Sequence, residues 1–172
     1  EIQQNATDLS NPEQLEFPVQ NSGDAEIKGL EFEISAVLWE NLNLFLVGSL
    51  MDGKFTRLND DSAAAAARTL FGVEPTTPQT PDYSYTIGFD YTYPCSRAAC
   101  DAVSFGADYY KTDDYVTAAT NEFHNSGWDQ FNAHINVDVD EHWQVALTGK
   151  NLADNFIVVS GSRGLGGFVT LP

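Results

Sequence analysis

The stretch D-Y-S-Y-T-I-G-F-D-Y-T-Y, residues 82 to 93, alternates without a break. Tyr83, Tyr85, Ile87, Phe89, Tyr91 and Tyr93 are large and mostly aromatic, whereas Ser84, Thr86, Gly88, Asp90 and Thr92 are small or polar. Successive side chains of a strand point to opposite faces, so this segment has one greasy face and one wet face. The fold turns on what the greasy face touches: a packed protein core or a lipid bilayer.

The same alternation recurs at residues 29–38, 42–50, 103–109, 131–140 and 143–148. In the first of these, Leu30, Phe32, Ile34, Ala36 and Leu38 oppose Glu31, Glu33 and Ser35. In 131–140, Phe131, Ala133, Ile135, Val137 and Val139 oppose Asn132, His134, Asn136, Asp138 and Asp140. The copy at 42–50 is weaker, because Phe45 and Val47 fall on its polar side. Period-2 patterning at this density specifies strands with little helix. The connections alternate too. W-E-N, the cysteine turn and D-E-H are short, while residues 55–81, 111–129 and 152 onward are long. Short turns therefore collect at one end of the sheet and long loops at the other. Within the first long loop, the run Ala63 to Ala67 with Arg68, Leu70 and Phe71 predicts a short helix, stopped by Pro75 and Pro78.

A length of 172 residues fits one domain, and 42% hydrophobic content excludes a disordered chain. The formal net charge is -17, from 8 basic and 25 acidic residues, which excludes nucleic acid as a partner. Such a surface suits divalent cations. No apolar run reaches the roughly 20 residues of a spanning helix. The opening E-I-Q-Q-N-A-T-D-L-S has no basic-then-apolar leader and reads as the middle of a longer chain. Cys95 and Cys100 stand in C-x4-C with no second Cys or His pair nearby, so a disulfide-closed turn is expected rather than a metal site. Closing so short a loop stabilises by about 2 kcal/mol and implies an oxidising compartment.

Three features favour lipid over core. The polar faces at 82–93 and 131–140 hold Ser, Thr, Asn, Asp and His with almost no Lys or Arg, which suits a hydrated barrel interior. The strands reach the length of about 9–11 residues that crosses a bilayer at a tilt. Aromatic residues gather at both strand ends: Trp39, Tyr91, Tyr93 and Trp143 by the short turns, Tyr83, Tyr109 and Phe131 by the long loops. Rings in two such belts match the headgroup levels of a membrane. The expected fold class is all-β, an antiparallel transmembrane β-barrel fragment. In lipid the sheet must close, and six strands with a partly begun seventh fall short of the roughly eight of the smallest bacterial barrels. The alternatives are a passive porin-type barrel and a secreted soluble β-sandwich for binding or adhesion.

Two segments carry a family resemblance. N-S-G-D-A-E-I-K-G-L-E-F-E, residues 21 to 33, resembles the N-x-G-x-A-x-x-x-G-x-E-x-E stretch late in the barrel of TonB-dependent outer-membrane receptors. L-T-G-K-N-L-A-D-N-F, residues 147 to 156, resembles the x-G-x-N-L-x-D-x-x-Y segment before their last strand. P-D-Y-S-Y-T-I-G-F-D-Y sits where that family often has P-x-x-S-x-x-x-G-x-x-Y. The resemblance spans residues 21 to 156. It implies that residues 1–172 are the C-terminal part of a plugged barrel of about 22 strands, in the outer membrane of a Gram-negative bacterium. It further implies uptake of a scarce solute such as a ferric siderophore, energised by TonB–ExbB–ExbD through an N-terminal part that has no match here. Haem, cobalamin and saccharide remain open beside the siderophore.

Recognition is expected in the long loops, because loops vary while strands hold the frame. The candidate ligand contacts are Arg57, Arg68, Phe71, Lys111, Tyr115, His124 and Trp128, with Tyr115 and Trp128 able to stack on a flat solute. The competing expectation is that these loops only cap the barrel and meet lipopolysaccharide. Glu31 and Glu33 are expected to hydrogen-bond inside the barrel or against the plug, and Asn151 and Asp154 to cap a turn. His124, His134 and His142 form no metal-ligand spacing, and no nucleophile arrangement or phosphate-cradling loop is present. No catalytic residue, cofactor or metal is expected, and the chain is not expected to be an enzyme.

Overall fold

In the computed structural model of the chain, the described residues are 2–5, 19–60, 62, 65, 68–69, 72, 74–97, 100–117, 124–139, 142–158, 160–164 and 167–171. They form strands β1 (Ile2–Asn5), β2 (Val19–Leu38), β3 (Leu42–Leu58), β4 (Tyr83–Arg97), β5 (Cys100–Thr112), β6 (Tyr115–Val116), β7 (His124–Asn125), β8 (Trp128–Asp138), β9 (Gln144–Gly149), β10 (Ser160–Gly164) and β11 (Gly167–Leu171). Seven of them make one sheet in the order β1-β2-β3-β4-β5-β8-β9. Every neighbouring pair in it is antiparallel. The remaining four form two small hairpins, β6 with β7 and β10 with β11.

All six alternating segments lie in the large sheet, but two strands run far past their patterns, by eight residues or more. β2 starts at Val19 rather than Gly29, and β3 runs to Leu58 rather than Leu50. The seventh strand of the sheet is β1, at its front, not a continuation after β9. The helix expected over residues 63 to 71 falls mostly outside the described residues; Ala65, Arg68 and Thr69, which are described, have helical backbone.

The register separates two faces. Leu38, Leu42, Tyr91, Phe105, Ile135 and Leu147 are paired across six strands in one unbroken row. Ile34, Leu46, Ile87, Tyr109 and Phe131 make a parallel row on the same face. The intervening rows point the other way: Asn43, Asp90, Gly106, His134 and Thr148 in one, Phe45, Gly88, Asp108 and Asn132 in the next. No described element covers the apolar face: Ile34 is 57% exposed, Ile87 51% and Leu147 69%. A sandwich buries that face against a second sheet. A lipid-facing wall leaves it bare.

The edge of the apolar band is sharp. The Leu30–Leu50 pair is followed on the same face by Lys28–Asp52 and Glu26–Lys54. Two strands further round the sheet, Tyr109–Phe131 gives way to Lys111–Asp129. On β4 the belt residues Tyr83 and Tyr93 are ten positions apart. That is about 33 Å along the strand, or about 25 Å at a tilt near 40°, the height of a barrel's apolar band. Spin labels at Ile87, Phe89, Ile135 and Val137 of the assembled protein are expected to report lipid. Labels at Gly88 and Asn136 are expected to report an aqueous or plug-covered surface. Equal water access at all six positions would sink the barrel.

Tight turns join β2 to β3, β4 to β5 and β8 to β9 at one end. In the first, Trp39 adopts φ 46° and its carbonyl accepts a hydrogen bond from the Leu42 N–H at 3.1 Å. In the β4–β5 turn the sulfurs of Cys95 and Cys100 are bonded, with Cα atoms 5.5 Å apart, inside the range such a bond requires. Non-reduced peptides spanning this turn, taken from envelope protein, are expected to weigh about 2 Da less than the dithiol, one hydrogen per sulfur. Two alkylatable thiols would contradict this.

Candidate solute site at the loop end

Tight packing among the described residues is concentrated at the long-loop end. Val116 is the one buried large apolar residue there, 2% exposed, and Ser62, Thr77, Thr112 and Asn125 are buried polar residues in or beside the same loops. The first loop turns back over the inner face. Thr77 lies against Gly53, an inward position of β3 where a Cβ would collide with the threonine side chain. Two residues on, the Gln79 N–H donates to the Val116 carbonyl at 2.8 Å and ties the first loop to the second.

Asn125 ties the second loop to the third. Its Nδ2 donates to the Tyr115 hydroxyl at 3.1 Å and to the Val158 carbonyl, while its Oδ1 accepts from the Gly127 N–H at 3.1 Å. Beneath it, Asn155 Nδ2 donates to Asp129 Oδ2 at 3.1 Å, and the Asn151 N–H donates to Asn132 Oδ1 at 3.1 Å. Asn151 and Asp154 do sit in a turn directly after β9, with φ 51° and 53°, a backbone that Asn and Asp tolerate better than most residues. Three loops are thus interlocked at the long-loop end.

The sequence candidates do not converge on a single site. Arg57 pairs with Asp24 at 2.8 Å and Arg68 with Glu74 at 3.1 Å, and both line one cavity with Asp60 and Glu74. Lys111 is not a loop residue. It belongs to β5 and lies on the outer face opposite Asp129 and Tyr85, because the strand continues past the apolar band. The exposed His124 places Nδ1 3.6 Å from Asp114 Oδ2. Phe71 lies outside the described residues. Tyr115 and Trp128 are brought together, with Gln79, Pro81, Tyr110 and Thr112, around a cavity of about 240 Å3. The last four escaped sequence reasoning. The alternation at 103–109, carried one residue further, would have turned Tyr110 inward.

A second cavity of about 440 Å3 adjoins on the inner wall, lined by Glu31, Glu33, Ser49, Ser84, Thr86 and Tyr110 among others. The Ser49 and Ser84 hydroxyls are 2.9 Å apart across β3 and β4. Further along the wall, His134 Nε2 reaches Asp90 Oδ1 at 3.2 Å across Gly106. A Cβ on Gly106 would stand 2.5 Å from that oxygen, so only glycine lets the two side chains meet. Among the described residues no group of three or more His, Cys, Asp or Glu could hold a metal ion.

The model of the family described as TonB dependent receptor-like, beta-barrel, matches residues 1–152. No curated protein and no solved structure gives a significant match.

Proposed function

Because this chain belongs to the TonB-dependent receptor-like β-barrel family, we propose that residues 1–172 are the C-terminal part of a plugged receptor barrel of about 22 strands. The family is one of outer-membrane receptors of Gram-negative bacteria, not a class of enzymes. Within it, this chain serves active uptake of a scarce solute, for which the family resemblance offers a ferric siderophore as one class. TonB–ExbB–ExbD supplies the energy through an N-terminal plug.

The observation that carries this reading is the bare apolar face, bounded by charged pairs at one height and backed by a polar inner wall. A sheet in lipid cannot keep free edges, so β1 and β9 require further strands of the receptor beside them. The outer-face boundary at Lys28, Lys54 and Lys111 lies where lipopolysaccharide headgroups begin, and the acidic excess of the chain suits bridging divalent ions there.

Uptake by cells expressing the full-length protein tests the proposal. Dissipating the proton-motive force is expected to abolish accumulation while surface binding persists. Unchanged uptake after dissipation would mean a passive porin-type barrel instead.

A further inference from the structure

The two inner-face cavities at the loop end share Tyr110. The smaller is aromatic. Tyr110 and Trp128 hold their ring centroids 4.6 Å apart, Tyr115 adds a third ring and Gln79 an amide. Trp128 keeps its indole Nε1 buried with no hydrogen-bond partner among the described residues. An unpaired buried donor is costly, and the same Trp128 side chain lines the smaller cavity. The larger cavity is walled by hydroxyls of Ser49, Ser84 and Thr86 and by the carboxylates of Glu31 and Glu33. From β2, which carries Glu31, to β8, which carries Trp128, there are four strand spacings, about 19 Å.

Among the described residues, no Lys or Arg lines either cavity. Of the cations at the loop end, Arg57 pairs with Asp24, Arg68 pairs with Glu74, Lys111 lies on the outer face, and Lys150 is outside the lining of both cavities. An anionic ferric chelate at this wall would meet Glu31 and Glu33 with no lining cation to offset the repulsion. A neutral polyhydroxylated solute meets the reverse. Aromatic rings cover its C–H faces, carboxylates accept its hydroxyl protons in charge-assisted bonds, and serine and amide donors serve its oxygens.

We propose that this wall recognises a neutral oligosaccharide. One sugar ring stacks on the Tyr110–Trp128 pair, and a neighbouring ring gives hydroxyl hydrogen bonds to Glu31 and Glu33. The assignment rests on the uptake reading above and narrows its solute.

Calorimetry on the full-length receptor in detergent tests it, with maltohexaose, cellohexaose and xylohexaose as probes and a ferric tris-catecholate as the anionic control. At least one hexaose is expected to bind. Trp128→Phe, which keeps a ring and removes the N–H, is expected to weaken it about tenfold. Glu31→Gln is expected to weaken it several-fold, and Arg57→Ala to leave it unchanged. Trp128→Phe also preserves ring packing, and heat-modifiable migration of each variant on a gel confirms a folded barrel. Failure of all three sugars to bind would overturn the assignment. So would chelate binding that is lost in Arg57→Ala and Arg68→Ala but retained in Trp128→Phe. Neither result bears on the dependence of uptake on proton-motive force, which is read in cells.

Discussion

Ile135→Arg is expected to destabilise the assembled barrel by about 2–4 kcal/mol, the cost of a cation on the lipid face near the bilayer midplane. Ile135 lies in the unbroken row from Leu38 to Leu147. It is 40% exposed, with no described element covering it. The neighbouring Asn136 faces the polar interior beside Ser104. Asn136→Arg is therefore expected to cost much less, since its guanidinium stays among polar groups. Urea titration of the full-length protein folding into lipid vesicles measures both variants. Equal penalties would remove the lipid assignment of the alternating face.

Asn125→Ala is expected to unlock the loop cap by about 1–3 kcal/mol, because the Val158 carbonyl, the Tyr115 hydroxyl and the Gly127 N–H lose a buried partner together. The strands of the seven-stranded sheet share none of these bonds, so that sheet is expected to hold. Hydrogen exchange on the full-length protein separates the two regions. Amides at 113–117 and 124–127 should exchange faster by roughly tenfold or more, while those of β4 and β5 stay protected. Unchanged exchange in the loops would show that Asn125 does not hold them together.

The strands were legible where one side faced lipid and the other did not. Residues 82–93 announce themselves because every second residue there must be apolar. The same strands become illegible beyond the lipid boundary. Past Leu30 and Leu50, Lys28, Asp52, Glu26 and Lys54 replace the apolar members of the outer face, while Ile27, Met51 and Phe55 stand on the other, so the outer pattern stops although the pairing continues. That is why Lys111 read as loop. β1 was missed for a related reason, since its four residues I-Q-Q-N are too few and too polar to show a period. The cap was illegible because single hydrogen bonds between distant positions hold it, Gln79 to Val116 and Asn125 to Val158, and these leave no periodic trace. Tyr115 and Trp128, singled out by residue type, line one cavity with Gln79 and Thr112, which had no such signal.

The alternation of tight turns and long loops also sets an order of events during assembly. Residues 39–41 close β2 onto β3, whereas residues 59–82 must close before β3 meets β4. A connection about eight times longer adds about 2 kcal/mol of closure entropy. Hairpins β2–β3, β4–β5 and β8–β9 therefore nucleate first and zip outward from their turns, and the docking of one hairpin on the next follows. A slip of one residue within a hairpin turns every side chain to the wrong solvent. A slip of two keeps the faces but shifts the Lys28–Asp52 level of the charged boundary toward lipid. The tight turn guards against both. A single strand added or lost would reverse the direction of all that follow, but a hairpin would not, so the hairpin is the step in which such a wall can grow.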